Sequence, residues 1–343
     1  MQLIKSDINI DFIGKHNIGY AISIILILLS IGSLIVHKGP NYGIDFVGGT
    51  LIQIKFSQEV AVGKIRDGLS NVGLKDASVQ NFGLAEDHEF LIRTSNSEMT
   101  SKGLSQSIAQ AVKASTGIDP EIRRVEMVGP QVGKDLRKSA LLAIFYSLLF
   151  ITIYISGRFE QKLILSAVTA GSLMTAVYFL SVFNVSIIVL ITAALVVTLI
   201  LFWVLQLKYA MGAIVALLHD VVITVGIFSI LNLDFSLPII AALLTIIGYS
   251  LNDTIIVFDR IRENIKGAKT ASALPLLFNK SINETLSRTI LTSLTTLIVL
   301  FALYFLGGEI IHNFAFAMIV GIFVGTYSSI FVASPIVLAV SKR

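Results

Sequence analysis

Cysteine is absent from the 343 residues, which excludes disulfides, thiolate metal sites and thiol catalysis. Histidine is sparse: five residues, scattered, with no HExxH-like spacing, so neither a metal nor any other cofactor is expected. Charge is scarce as well. Only 14% of residues are Asp, Glu, Lys or Arg against 55% hydrophobic, a balance foreign to soluble globular domains. The formal charge of +4 does not point to nucleic acid, because most Lys and Arg bracket apolar runs. What remains is a multi-pass α-helical membrane protein with lipid around it.

The apolar run Ile18 to Val36 is long enough to span a bilayer and too long for a signal-peptide core. Residues 1–37 therefore read as a cytoplasmic segment and an uncleaved first span. Residues 38–138 have the composition of a soluble domain. Ile52, Ile54 and Phe56 alternate with polar residues as a strand does. Val62, Ile65, Leu69 and Val72 recur at helical spacing, and strands are expected at Ser78 to Phe82 and Glu89 to Thr94 around a turn at Gly83 to Asp87. A second helix over Met99 to Ser115 and a strand over Glu121 to Val128, ended by Gly129-Pro130, complete a β-α-β-β-α-β order. The fold expected is one α+β ferredoxin-like domain on a helical membrane protein. The Gly-rich opening GIDFVGGT lacks the GK[ST] of a phosphate loop and precedes a strand, so tight turns are the plainer reading.

Spans follow over 139–160, then a hairpin over 161–207, then four spans in 208–343 with a cytoplasmic polar loop at 259–288. That makes about eight spans by length. Cations at Arg158, Lys162, Lys208, Arg260 to Arg288, Lys342 and Arg343 all fall on one side if the spans alternate, whereas NVS, NLDFS and GGEIIHN carry none. The cationic side is then cytoplasmic, both termini included, and the soluble domain lies outside.

The hairpin resembles a degraded copy of the pair after it: SAVTA (166–170) matches GAIVA (212–216), and SVFNVSIIVLITAAL (181–195) matches SILNLDFSLPIIAAL (229–243). Where the second pair has His219-Asp220 and Asn252-Asp253, the first has Leu173-Met174 and Val204-Leu205. The first pair is thus expected to be packing or lipid-facing structure.

The chemistry gathers in the second pair. A carboxylate at membrane depth costs about 2.5–3.5 kcal/mol on insertion scales, so Asp220 and Asp253 need a partner or a use. His219 and Asp220 sit about 15 Å into their span. Asp253 lies toward the cytoplasmic end of its antiparallel neighbour, and Arg260, two turns on, shares its face. These groups form a ladder from midplane to cytoplasm of the kind that relays protons. Blander readings stand beside it: His219 as a packing histidine, Asp253 satisfied by Asn252 or a neighbouring helix, and Asp259, Arg260, Arg262 and Glu263 as a solvated helix end. The GxxxG at Gly321 and Gly325 reads as close helix packing.

The stretches IDFIGKHNIGYAIS (10–23), YGIDFVGGT (42–50), RFE (158–160), GAIVALLHDVVITVGIFS (212–229), ALLTIIGYSLNDTIIVFDRIREN (242–264) and SRTILTSLTTL (287–297) resemble the SecD/SecF family, its SecF members in particular. The resemblance covers nearly the whole chain. It implies a six-span subunit of the resistance-nodulation-division type in the bacterial inner membrane, with a periplasmic domain. Such a subunit works with SecD beside the Sec translocation channel and uses the proton-motive force to pull secreted unfolded polypeptides across; it is not an enzyme. By motif, the relay falls on His219, Asp220, Asn252, Asp253, Asp259 and Arg260, with Arg260 near a SecD carboxylate. Gly43, Asp45, Gly48, Gly49, Arg158, Arg262 and Glu263 complete the family motifs. The departure is the hairpin: family members run from RFE almost directly into GAIVALLHD, whereas about 48 residues, one transmembrane hairpin, intervene here. Two other readings differ in class. A proton-driven small-molecule or lipid transporter of the same superfamily would need a larger outer domain, and an intramembrane aspartyl protease would need a GxGD-like site.

Overall fold

The computed structural model describes residues 9–75, 77–82, 85–94, 101–183, 185–266 and 270–341. Lys5, Asn184, Lys342, Arg343, the first residues of the turn at 83 and the helix start at 99 lie outside them. Eight helices among the described residues are long and apolar enough to cross a membrane.

The first, α1 (His16–Val36), leads through a four-residue helix, α2 (Ile44–Val47), into the small sheet domain, called the outer domain after the side on which the cation pattern is expected to put it. There β1 (Gly49–Lys55), α3 (Val62–Asn71), β2 (Ser78–Phe82), β3 (Glu89–Thr94), α4 (Ser101–Thr116) and β4 (Glu121–Val128) follow in turn. The sheet is antiparallel throughout, ordered β2-β3-β1-β4. Ile52 and Ile54 of β1 and Ile92 of β3 are buried against Ile65, Leu69, Leu104 and Ile108 of the two helices. The period of two in β1 meets the 3.6 period of α3 and α4, which closes a small core. The expected α+β domain is thus present. The Gly-rich stretch holds α2 as well as the turns expected: Gly48 and Gly49 have φ of 82° and 122°, a region that favours glycine.

The second span, α5, runs Pro130–Ile155 and continues as one π turn, Ser156–Glu160. It starts nine residues before the expected boundary at 139. Pro130 occupies the first helical turn, where a missing N–H costs nothing, so it opens the helix as well as ending β4. The hairpin helices α6 (Leu163–Leu180) and α7 (Ile187–Val204) pack mainly on α5, through Ala170, Val177, Leu190 and Ala194 against Phe145 and Leu149. Leu173 and Met174 lie at this contact, while Val204 faces outward.

The four remaining spans are α8 (Lys208–Ile230), α9 (Leu237–Ile265), α10 (Leu274–Leu306) and α11 (Glu309–Ser328). The last runs on through a π turn at Ser329–Ala333 into α12 (Ser334–Ser341). The polar loop expected at 259–288 is corrected to the short connection 266–273, because α9 and α10 both carry on past the apolar region. At 1.5 Å per residue α9 is about 44 Å long and α10 about 50 Å, against a hydrocarbon core of about 30 Å. The charged ends stay helical because their side chains pair. Arg260 bonds Glu263 one turn away at 2.8 Å and Glu284 across on α10 at 2.7 Å, and Lys280 faces Glu284. Polarity there marks the exit from lipid, not the end of the helix.

Small residues set how closely the spans approach. A Cβ at Gly325 would lie 2.9 Å from the Ser250 Cβ, and one at Gly321 2.3 Å from Ile246, so the GxxxG face of α11 lies against α9. Gly226 likewise admits Ser30 of α1.

Candidate functional site

Asp220 is fully buried where α1, α8, α9 and α11 meet. Its Oδ2 accepts hydrogen bonds from Ser250 Oγ on α9 at 2.6 Å and Ser328 Oγ on α11 at 2.9 Å. Its Oδ1 lies 2.9 Å from Nδ1 of His219, whose Nε2 lies 3.1 Å from Ser23 Oγ on α1. Ser23 in turn meets the Tyr327 hydroxyl at 3.1 Å, and that hydroxyl donates to the Gly19 carbonyl at 2.5 Å. The imidazole also stacks on the Tyr327 ring, with centroids 6.0 Å apart. Ser328 reaches Asp220 from the last turn before the π turn of the eighth span, a local widening that often accompanies functional sites.

The donor at each link depends on the imidazole tautomer. The Ser23 hydroxyl has one proton, which it can give to Tyr327 or to Nε2 but not to both. The tautomer of His219 is in this way tied to a contact between α1 and α11.

Asp253 lies one turn along α9 from Ser250 and is also fully buried. One oxygen meets Ser293 on α10 at 3.4 Å and Thr326 on α11 at 3.5 Å; the other, Oδ1, has no hydrogen-bond partner. Asn252 does not satisfy Asp253: it faces outward, into a polar cavity of about 600 Å³ shared with Tyr154, Arg158, Asp259, Arg260 and Arg288.

The single expected ladder is therefore two places. His219, Asp220 and Asp253 are buried between helices, whereas Asn252, Asp259, Arg260 and Glu263 line the open cavity. Arg260 does not turn back to Asp253; its guanidinium is taken up by Glu263 and Glu284. The RFE stretch clamps the cavity's rim. Arg158 pairs with Asp259 at 2.6 Å, Arg262 donates to the Arg158 carbonyl at 3.0 Å, and Glu160 accepts from the Tyr209 N–H at the start of α8 at 2.8 Å. Phe159 stacks on Tyr209 at 5.2 Å.

On the outer side, the Gly43 N–H donates to the Phe235 carbonyl at 2.8 Å and the Phe235 N–H to the Asn41 carbonyl at 2.7 Å. Asp45 accepts from the Leu237 N–H at 2.9 Å. Gly48 lies so close to Pro130 that a Cβ there would fall 2.7 Å from its Cα. These motif residues hold the outer domain to the α8–α9 turn and take no part in the buried cluster.

Sequence reasoning missed Ser23, Ser250, Ser293, Thr326, Tyr327 and Ser328. Serine and threonine are frequent in apolar helices, where they bond their own backbone, so only the helix crossing singles these out. It missed Asn279 and Asn283 too. Asn279 Oδ1 accepts from the Phe12 and Ile13 N–H groups at 2.8 and 3.2 Å, and both amides donate to the Ile10 carbonyl, so α10 holds the stretch before α1.

Residues 107–188 and 180–343 match the family model "Protein export membrane protein SecD/SecF, C-terminal", in two segments that meet at the α6–α7 turn. Residues 33–60 match "SecD/SecF GG Motif". The protein translocase subunit SecF of Calditerrivibrio nitroreducens is 42% identical, covering 100% of this chain and 97% of its own. That of Vibrio alginolyticus is 40% identical over 98% and 91%. The crystal structure of SecDF, a translocon-associated membrane protein from Thermus thermophilus, superposes with a TM-score of 0.72 at 34% identity over 99% of this chain. This chain spans 40% of that longer one. A SecDF structure in a super-membrane-facing form gives 0.61 at 35% identity. With its GG motif, its helical membrane region and full-length likeness to these relatives, the chain belongs to the SecD/SecF family, among the SecF subunits of protein translocase.

Proposed function

We propose that this chain works with a SecD subunit beside the Sec channel and uses the proton-motive force to help draw unfolded secreted polypeptides across the bacterial inner membrane. On this reading the sheet domain is periplasmic and both termini are cytoplasmic. The observation that carries it is the His219–Asp220 pair, buried from solvent and bonded to residues of three other helices. Ionisable groups at such depth are tolerated where they are used. Asp253 supports it further: one buried oxygen lacks a partner, so a proton arriving there neutralises charge that the surrounding helices leave uncompensated.

Protons pass between the cytoplasmic cavity, lined by Asn252, Asp259 and Arg260, and the buried carboxylates. The tautomer of His219 sets the bond between Ser23 and Tyr327, and so how α1 and α11 sit against α8. Hydrolysis plays no part; the output is movement. The hairpin α6–α7 serves as packing against α5 that faces lipid.

The test is export of a reporter protein in cells whose own SecF is replaced by this chain. Asp220→Asn or Asp253→Asn at equal membrane abundance abolishes export assistance. Normal export in either refutes the relay.

A further inference from the structure

The outer domain meets the membrane helices at the start of α5 and at one turn between two spans. Residues 231–236 join α8, which carries His219 and Asp220, to α9, which carries Asp253. Three attachments hold that turn. The segment of Asn41 and Gly43 pairs through its backbone with Phe235, and the Asn41 amide donates to the Asn232 carbonyl and to Asp234. Arg93 on β3 forms an ion pair with Asp234. Asp45 on α2 accepts from the Leu237 N–H, the first of α9.

The third attachment differs in kind. A helix start leaves backbone N–H groups unpaired, and the residue before it commonly supplies the cap. Ser236 stands in that place and makes no such bond with its side chain. Pro238 has no N–H to offer. The cap of α9 therefore comes from 192 residues away, from α2. A carboxylate there also faces the positive end of the helix dipole. Asp45 itself cannot drift. Phe46 is buried against Phe235, and Gly48, just after α2, lies against Pro130 and Gly133 at the start of α5. From Gly49 the chain enters the central strand β1 without a loop.

We propose that Asp45 is the pin that transmits movement of α9 to the outer domain. This rests on the proton-driven reading given above. A displacement or rotation of α9 that follows a change at Asp253 reaches Leu237 along a continuous helix. Asp45 passes it through α2 and the Gly48–Gly49 bend to β1. Asp45 is a positioning residue and touches neither a proton path nor a transported chain. What the pin needs is an acceptor oxygen, not a charge, so asparagine suffices and alanine does not.

The absence of cysteine makes the test direct. Spin labels at Gln80→Cys on β2 and Leu306→Cys at the outer end of α10, both exposed, report the distance between the outer domain and the helices. The full chain, reconstituted in membranes, is expected to give a narrow distribution with Asp45 or with Asp45→Asn, and a broad one with Asp45→Ala. Reporter export falls about fivefold in Asp45→Ala, the factor given by losing one capping interaction, and stays parental in Asp45→Asn. If Asp45→Ala fails to insert, Asp45→Leu, which keeps the bulk and loses the acceptor, is expected to broaden the distribution and lower export. The pin is overturned if Asp45→Ala leaves distance and export unchanged, if Asp45→Asn is as defective as Asp45→Ala, or if Asp45→Leu, used in its place, changes neither readout. Asp253→Asn run alongside separates the two ideas: normal export there refutes the proton reading, while the distances still judge the pin.

Discussion

Removing the Ser250 hydroxyl tests the buried pair most sharply. Ser250 Oγ lies 2.6 Å from Asp220 Oδ2, within the range of a charge-assisted O–H···O⁻ bond. Such bonds contribute about 1.5–3 kcal/mol, against an average of about 0.6 kcal/mol for side-chain hydrogen bonds between membrane helices. Ser250→Ala should therefore cost about 2 kcal/mol of unfolding free energy in detergent micelles or bicelles. In an Asp220→Asn background the acceptor is neutral, and the same substitution should cost only about 0.6 kcal/mol. The double-mutant cycle thus gives a coupling of about 1.4 kcal/mol. The two residues touch and Ser250 is buried, so new solvent contacts do not blur the cycle. A coupling below about 0.5 kcal/mol, the scatter of independent sites, would refute a charged acceptor at Asp220.

Three further outcomes follow from the packing. Gly325→Val drives α11 off α9, costs about 1–3 kcal/mol by overpacking and lowers export by separating Ser328 from Asp220, as unfolding and reporter assays would show. Asn279→Ala leaves the Ile13 N–H without its partner and removes one of two bonds at the Phe12 N–H and the Ile10 carbonyl; about 2 kcal/mol is lost locally, read as roughly 30-fold faster amide exchange at Ile13. Arg260→Ala changes stability by less than about 1 kcal/mol, because its two ion pairs are solvent-exposed; a larger loss in the same unfolding assay would mean that Arg260 supports the buried groups.

The outer domain was legible because its strands and helices have clean periods, and burial of Ile52, Ile54, Ile65 and Leu104 follows those periods. The spans were legible from length. Their ends were not: Arg260, Glu263 and Glu284 look like loop residues in sequence, yet they pair with one another on helices that carry on past the apolar region. Asp220 and Asp253 announced themselves by the cost of a carboxylate in lipid. Their partners did not, since Ser250 and Ser328 become ligands only where Gly321 and Gly325 let two helices touch. The face shared by Asp253 and Arg260 misled, because neighbouring acids on α9 and α10 claim the guanidinium first. Asp45 was read as part of a motif, yet its contact with Leu237 spans 192 residues and no local pattern encodes it.

The central claim is that proton movement through the buried carboxylates drives assistance to export. Its most direct test is translocation of a reporter into membrane vesicles that carry this chain and its SecD partner, with ATP-driven steps held constant and the proton gradient imposed or collapsed by an ionophore. The account predicts that assistance disappears on collapse and is already missing, gradient or not, in Asp253→Asn vesicles. Assistance that persists undiminished without a gradient would contradict it.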